Sequence, residues 1–223
     1  MPSSEQLINI HTHRSSIGTK EWVIRSIRAQ DYPPDPDPDG VYSVGVHPWD
    51  IGKLNLVDAL KKVQLATENC QVLAIGEAGL DGTTGIDMDL QSKVFEAQVE
   101  IAEFAGLPVI IHAVKANERL VSFAKSRKSG VPLIIHGFIG GEQIAKDLVK
   151  FGYYLSFGSS LLNSEKTAKA FASLPVDKIF LETDESELPV NDIYVRASEL
   201  KSMQTGKLAA QISEKTHQLF IRK

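Results

Sequence analysis

Short runs of apolar residues recur along the chain, and they restrict its possible folds more than any other feature of the sequence. Each run has three to five residues, is rich in Val, Ile and Leu, and is bounded by turn residues. Continuous apolarity over so short a length is typical of strands buried on both faces of a parallel sheet. We predict strands at seven runs, which cover residues 7–10, 42–46, 72–75, 107–111, 131–135, 153–157 and 179–181.

Amphipathic segments of helical length lie between these runs. The clearest covers residues 90–105 and stops at Gly106, since glycine is common just past the end of a helix. The alternation of strand and helix predicts βαβ units. Further helical patterns cover residues 54–67, 142–151, 193–203 and 207–220.

Two architectures are compatible with this alternation. A (β/α)8 barrel needs eight strands and typically ~250 residues, whereas this chain has 223 residues and seven recognisable strands. Either the eighth strand is short and irregular, or the sheet is open and doubly wound. Polar residues at the strand ends favour the barrel. We therefore predict a single domain, residues 1–223, with a compact (β/α)8 TIM barrel and a weakly marked last strand.

Five of the apolar runs lead into residues that can bind a divalent cation. The carboxyl ends of all strands in a parallel barrel open on one face, so residues far apart in sequence would converge there. Polar side chains at five buried strand ends are unfavourable unless they have a function. The candidate ligands are His11, His13, Glu77, His112, His136 and Asp184.

The types of these residues indicate the metal chemistry. His11 and His13 are two positions apart, so in an extended segment they share a face and can bind one ion. Imidazole and carboxylate ligands suit Zn²⁺, Mn²⁺, Fe or Co²⁺, with Mg²⁺ where carboxylates dominate. The single cysteine, Cys70, rules out a cysteine-cluster site and an intrachain disulfide. Six ligands are too many for one tetrahedral ion and suit two, which a bridging carboxylate would hold ~3.5–4 Å apart.

With these residues in this order, the chain resembles the TatD family of metal-dependent hydrolases, which are amidohydrolase-like barrel proteins. The resemblance covers nearly the whole chain, and the helix after the third predicted strand matches through Gln91, Phe95 and Gln98. The motifs that carry it lie at residues 11–13, 45–48, 75–81, 108–112, 135–138 and 180–184.

The resemblance implies a (β/α)8 barrel that hydrolyses phosphodiester bonds, commonly in DNA, with two divalent cations and metal-activated water. It implies that Glu77 bridges the cations and that His47 lies beside them, available to the substrate phosphate. Asp184, at the mouth of the barrel, would serve as general base, so Asp184 and Glu77 are the predicted catalytic residues. One cation would bind His11, His13, Glu77 and Asp184, and the other Glu77, His112 and His136.

Several positions depart from the family pattern. Asn9 stands where the family usually has Asp, which removes a negative charge near the first site. After His112 the family often has a polar Ser-Arg-Asp run, and this chain has Ala113, Val114 and Lys115 instead. The loop after Asp184 is short and acidic, with Glu185 and Glu187 where the family often has basic residues.

The charge balance also limits the partners. The chain has 24 basic and 28 acidic residues and a net charge of −4, which argues against a broad basic surface for nucleic acid.

Residues 1–6 lack the features of a signal peptide, and no apolar stretch reaches the ~18 residues of a membrane span. We expect a cytoplasmic protein with no membrane association and no evident obligate protein partner. The Pro- and Asp-rich residues 33–40 indicate a solvated turn.

Three functions remain open at this point. The leading hypothesis is a phosphodiesterase or deoxyribonuclease. The second is a hydrolase of a small cyclic amide, lactone or ester, because the same metal site serves both reactions. The third is a catalytically weak metal-binding protein that acts through partners, which Asn9 and the acidic loop favour.

Other residues have two interpretations each. Trp49 could stack on a base or pack under a loop. Arg14 and Lys115 could contact a phosphate or lie solvated at the surface. Glu182 could support a ligand or be a buried, paired carboxylate, and we expect His217 to be structural.

Overall fold

The computed structural model describes residues 6–14, 20–35 and 37–220. The described residues divide into two compact units: a terminal unit, residues 6–14, 20–24 and 135–220, and a central unit, residues 25–35 and 37–134. The strands in the described part of the chain are β1 (Leu7–Thr12), β2 (Glu21–Arg28), β3 (Tyr42–Gly45), β4 (Val72–Asp81), β5 (Val109–Val114), β6 (Leu133–Ile135), β7 (Tyr154–Phe157) and β8 (Ile179–Leu181). The helices there are α1 (Leu56–Ala66), α2 (Met88–Ala105), α3 (Asn117–Ser126), α4 (Glu142–Lys150), α5 (Ser160–Asn163), α6 (Glu165–Ser173), α7 (Val190–Leu200) and α8 (Thr205–Phe220).

In the central unit, parallel strands lie side by side in chain order. β2 pairs with β3, β3 with β4, and β4 with β5, and all ten residues of β4 are buried. Asp87 caps the start of helix α2, where its side chain accepts a hydrogen bond from the amide of Leu90, and Gly106 caps its end with a left-handed φ of 67°. Glycine suits this position because it has no Cβ to clash.

Two buried glutamines of α2 hold the ends of β3 and β4. Gln98 accepts from the amide of Val46 over 2.7 Å and donates to its carbonyl oxygen over 3.1 Å. Gln91 makes the same pair of bonds with the backbone of Asp81, over 2.7 Å and 3.1 Å. The helix thereby fixes the backbone just before His47 and at the end of β4.

In the terminal unit, β7 pairs with β8 in parallel, and Thr12 at the end of β1 bridges to Asp184 just past β8. Buried Tyr194 of α7 donates to the carbonyl oxygen of Ile8 over 3.0 Å and accepts from its amide over 3.1 Å. Helix α7 is thus tied to the middle of β1.

The prediction of a weakly marked last strand is wrong. β8 coincides with the seventh apolar run, and α7 and α8 follow it as the helical patterns indicate. The strand without an apolar run is β2, in which buried Trp22, Ile24 and Ser26 alternate with partly exposed neighbours. A strand with one exposed face has period-two alternation, and a search for continuous apolarity misses it.

The other sequence predictions have mixed outcomes. The helical segments 54–67 and 142–151 contain α1 and α4, and segment 90–105 covers α2 except for its first two residues, whereas α3, α5 and α6 were not predicted. None of the helices in the described residues is both long and apolar enough to cross a bilayer. Residues 1–5, on which the expectation about a signal peptide depends, and Pro36 of the Pro- and Asp-rich run lie outside the described residues. The single-domain assignment stays a prediction.

Candidate metal centre

In the terminal unit, the ends of β1 and β8 bring His11 and His13 to Asp184. Nε2 of His11 lies 3.4 Å from Oδ1 of Asp184, and Nε2 of His13 lies 3.5 Å from the same oxygen. Asp184 has a left-handed φ of 52°, and its amide donates to the carbonyl oxygen of His11 over 3.0 Å. The backbone therefore sets where this carboxylate lies.

His136 and Glu182 lie next to this cluster. His136 follows β6, and its ring centroid is 4.1 Å from that of His11. Its Nδ1 lies 3.4 Å from Oε1 of Glu182, which also accepts from the amide of Gly137 over 2.7 Å. One ligand atom from each of His136, Glu182 and Asp184 falls within 4.8 Å of the others. We call His11, His13, His136, Glu182 and Asp184 the terminal group.

The terminal group suits a cation by one specific observation. Glu182 is fully buried, and its Oε2 has no hydrogen-bond partner within residues 6–14, 20–35 and 37–220. A buried carboxylate oxygen without a donor is costly. A divalent cation beside it removes that cost, and imidazole with carboxylate is a donor set that such ions accept.

The protonation state of Asp184 is set by its neighbours. Burial raises the pKa of this carboxyl group, but hydrogen bonds from His11 and His13 lower it further, so the pKa lies well below its usual range. Asp184 is therefore a carboxylate at neutral pH.

In the central unit, His47 just past β3, Glu77 within β4 and His112 within β5 lie close together. Oε2 of Glu77 lies 3.6 Å from Nε2 of His47 and 3.4 Å from Nδ1 of His112, and these two nitrogens are 3.3 Å apart. All three residues are buried. Burial lowers the pKa of His47 despite the opposing effect of Glu77, so its imidazole is neutral at neutral pH.

Asp81 completes the central group, which we define as His47, Glu77, Asp81 and His112. Oδ2 of Asp81 accepts from the indole Nε1 of Trp49 over 2.7 Å and lies 3.1 Å from Nε2 of His112. Oδ1 accepts from the amide and hydroxyl of Thr83, over 2.8 Å and 2.5 Å. Burial raises the pKa of Asp81, but these hydrogen bonds outweigh it and lower the pKa to about 2.

The predicted site residues lie in both units. His11, His13, His136 and Asp184 lie in the terminal unit, and His47, Glu77 and His112 lie in the central unit. Sequence reasoning gave Asp81 no role, because it ended the third predicted strand at residue 75, whereas β4 continues to Asp81. The sequence feature that could have indicated a role for Asp81 is its place as the polar last residue of the 75–81 motif.

The remaining residues also have defined places. Trp49 is half exposed, packs edge-on against His47 and lies near Arg28. Arg14 donates to the carbonyl oxygen of Ser186. Lys115 is exposed. His217 lies 2.8 Å from the carbonyl oxygen of Ser213, within α8, as a structural residue would.

Comparison with known proteins identifies the family. The family model for TatD related DNases matches residues 36–221. A Bacillus subtilis protein named as the uncharacterized metal-dependent hydrolase YabD is 30% identical over 200 residues, which cover 82% of this chain and 78% of that protein. A Cronobacter sakazakii protein named 3'-5' ssDNA/RNA exonuclease TatD is 32% identical over 164 residues, covering 71% of this chain but less than two thirds (62%) of the exonuclease.

A solved structure shows the fold. The crystal structure of the TatD homologue YjjV from Escherichia coli matches with a TM-score of 0.85 and 22% identity, over 98% of this chain and 99% of that one. The predicted (β/α)8 barrel is confirmed, and the open, doubly wound alternative is wrong. With the family match and the B. subtilis relative, the chain belongs to the TatD-related DNase family of metal-dependent hydrolases.

Proposed function

We propose that this protein hydrolyses phosphodiester bonds of nucleic acid ends or other short phosphodiesters, with divalent cations bound by its histidines and carboxylates. The observation that carries the proposal is the convergence of His11, His13 and Asp184, with nitrogen–oxygen distances of 3.4 Å and 3.5 Å at the ends of β1 and β8. The name of the C. sakazakii relative, an exonuclease for single-stranded DNA and RNA, supports the substrate class.

The proposed ligands come from both groups. His11, His13, His136 and Asp184 would hold a cation in the terminal unit, and Glu77 with His112 would do so in the central unit. When bound, divalent cations supply Lewis acidity and lower the pKa of water toward neutrality. Two cations, their identity among Zn²⁺, Mn²⁺, Mg²⁺, Fe and Co²⁺, and the bridging role of Glu77 stay predictions.

The side chains of the terminal group define the proton transfer. Asp184 is ionised at neutral pH, and its carboxylate lies at a cavity of about 400 Å³. A carboxylate in this position can accept the proton of the attacking water, which makes it the general base. His11 and His13 orient the carboxylate through its Oδ1.

The cavity supports a short substrate. The residues that line it include Ser159, Ser160, Ile139 and Glu185, and its described lining includes no lysine or arginine. An uncharged sugar or base suits such walls better than further phosphates do. Glu185 would repel the backbone of a long polynucleotide.

His47 has the character of a substrate-binding donor. Its Nδ1 accepts a hydrogen bond from the amide of Trp49 over 3.1 Å, so the proton of the neutral ring lies on Nε2. An N–H donor of this kind can bind a phosphoryl oxygen and stabilise charge that develops on it.

The alternatives have distinct experimental outcomes. The cavity without lysine or arginine also suits a small, neutral ester or lactone, and a binding protein would retain cations without any turnover. We therefore propose assaying the purified protein, after measurement of its metal content, on single-stranded oligonucleotides, a model phosphodiester and small esters. Each substrate is tested with Mg²⁺, Mn²⁺, Co²⁺ and Zn²⁺.

The proposal predicts cleavage of the oligonucleotides and the model diester, with loss in the His112→Gln protein and retention in a His217→Gln control. Exclusive turnover of small esters would support the second function, and cation binding without any turnover would support the third. A cytoplasmic location also stays a proposal, which cell fractionation tests.

A further inference from the structure

The carboxylate of Asp81 has every acceptor position occupied. Four donors surround it: the amide and hydroxyl of Thr83 at Oδ1, and Nε1 of Trp49 and Nε2 of His112 at Oδ2. The side chain is 1% exposed. A carboxylate so fully bound by protein donors has no lone pair left for a cation, so Asp81 lies among candidate ligands without being one.

We propose that Asp81 is a positioning residue, which keeps His112 protonated on Nε2 and so presents the lone pair of Nδ1 to a cation. This inference rests on the proposed function, because it concerns a ligand of the cation in the central unit. Nothing in the family match assigns a role to Asp81.

The carboxylate of Asp81 determines the tautomer of His112. An ionised carboxylate only accepts hydrogen bonds, so Nε2 of His112, 3.1 Å from Oδ2, must carry the hydrogen. A neutral imidazole has a single N–H, so Nδ1 then carries a lone pair. That lone pair points toward Oε2 of Glu77, 3.4 Å away, where a shared cation would lie. A carboxylate behind a ligating histidine is a frequent arrangement in metal sites.

Asp81 is itself held in place from several sides. Gln91 of α2 binds its amide and carbonyl oxygen, Thr83 fixes one carboxylate oxygen, and the indole of Trp49 fixes the other. With the backbone and both oxygens bound, the carboxylate cannot rotate away from His112. The orientation of the histidine ring is therefore built into the fold before any cation arrives.

The same contacts separate the role of His112 from that of His47. Trp49 donates its main-chain N–H to Nδ1 of His47 and its indole N–H to Asp81. It therefore fixes the ring of His47 directly and the ring of His112 through Asp81. His47 consequently points an N–H, and His112 a lone pair, at the space beside Glu77. With these tautomers, Nε2 of His47 is the donor and Nδ1 of His112 the acceptor of the 3.3 Å contact between the two rings. His47 is therefore a hydrogen-bond donor and not a ligand of the cation, although its Nε2 lies close to the ligand atoms of Glu77 and His112.

The tautomers can be measured directly in the full-length, metal-free protein. Long-range proton–nitrogen correlation spectra of ¹⁵N-histidine-labelled protein distinguish protonated from unprotonated ring nitrogens, and His112→Gln and His47→Gln proteins assign the two signals. We expect Nε2–H in both residues of the wild type. A wild-type His112 that is protonated on Nδ1 would overturn the inference without any variant of Asp81.

Substitution tests the consequence for cation binding. In the Asp81→Asn protein the amide NH₂ must face either Thr83 or the Trp49–His112 pair, where donors already point at it. We expect the His112 signal to shift toward the other tautomer. Calorimetric titration with Zn²⁺ should show the affinity at the central unit weakened about ten- to hundredfold, with the affinity of the terminal group unchanged.

The control is Asp50→Asn, which removes another buried carboxylate of the central unit, one that binds Arg28 and Gln30. It should leave the tautomer and the Zn²⁺ affinity of His112 at wild-type values. Equal behaviour of the Asp81→Asn and Asp50→Asn proteins would contradict the inference. If Asp81→Asn does not fold, Trp49→Phe removes only the indole donor and should weaken Zn²⁺ binding in the same direction.

These readouts separate the inference from the proposed function. The tautomers are measured without cation or substrate. The expected tautomers in a protein that lacks hydrolytic activity would support the positioning role and refute the proposed function. An active hydrolase with His112 protonated on Nδ1 would refute the positioning role alone.

Discussion

The amide of Asp184 donates a hydrogen bond to the carbonyl oxygen of His11 over 3.0 Å, which fixes the end of β8 against the end of β1. This backbone contact holds the carboxylate of Asp184 near Nε2 of His11, 3.4 Å away. The proposed general base, Asp184, and the proposed ligand His11 are therefore held together by the backbone at the ends of β1 and β8.

Asp184→Asn should abolish most activity without unfolding the protein. The amide cannot accept the proton of the attacking water and binds a cation more weakly, so we expect kcat to fall by about 10²–10⁴-fold. Steady-state kinetics on single-stranded DNA would measure this. Asp177→Asn, a change at an exposed aspartate of the same unit, should retain wild-type rates. Equal activity of the two variants would remove Asp184 from the catalytic site.

Asn9→Asp, which restores the residue that the family usually has, should destabilise this chain. Nδ2 of Asn9 donates to Oε1 of Glu21 over 2.7 Å and to Oγ1 of Thr183 over 2.8 Å. An aspartate would place two carboxylates in contact and lose the bond to Glu21, so we expect the free energy of unfolding to fall by about 1–3 kcal/mol.

A second substitution tests the cause of that loss. Glu21→Gln would supply a donor for the new aspartate, so the double variant should recover part of the lost stability in denaturant titrations. If the double variant loses more free energy of unfolding than the two single variants together, Glu21 is not the reason why the chain has Asn9.

Gln98→Met should affect both stability and substrate binding. It leaves the amide and carbonyl oxygen of buried Val46 without partners, and we expect a loss of about 2–4 kcal/mol from two unsatisfied groups. Because His47 follows Val46, KM should rise more than kcat falls. Gln64→Met, at an exposed position of α1, is the control and should change neither quantity. A lower kcat with an unchanged KM would argue against His47 as a substrate contact.

The carboxyl group of Asp81 should make a measurable contribution to acid stability. Its pKa is about 2 in the folded protein, below the ordinary value of 3.8, because hydrogen bonds from Thr83 and Trp49 outweigh the effect of burial. Ionised Asp81 therefore stabilises the fold above about pH 4, and this contribution is lost as the pH falls toward 2. Urea unfolding at several pH values should show a smaller pH dependence in this interval for Asp81→Asn than for the wild type. Parallel curves would mean that Asp81 has an ordinary pKa.

Much of this fold could be predicted because seven strands are continuous apolar runs. β2 could not be predicted in that way, since Glu21 and Arg25 alternate with buried residues and its apolarity is discontinuous. Because β2 was missed, the eighth strand was wrongly expected near the end of the chain. Glu21 also explains why this chain has Asn9, because its carboxylate accepts a hydrogen bond from the amide of Asn9. Since β2 was not predicted, this contact could not be predicted from the sequence either.

The candidate ligands were predictable from their positions at strand ends, but their supporting contacts were not. Gln91 and Gln98 lie on a helical face among apolar residues, and sequence periodicity cannot show that they bind the strand ends. Asp81 follows two glycines in β4, which made a continuous strand hard to recognise. The partners of polar side chains depend on tertiary contacts, which a single sequence does not specify.

Removal and return of the metal test the central claim most directly. The protein is treated with a chelator, dialysed, and assayed for cleavage of end-labelled single-stranded DNA before and after addition of Mg²⁺, Mn²⁺, Co²⁺ or Zn²⁺. The proposed function predicts that cleavage disappears with the chelator and returns with at least one cation, but does not return in the Asp184→Asn protein. Cleavage that persists after complete removal of metal, or that returns equally in Asp184→Asn, would contradict it.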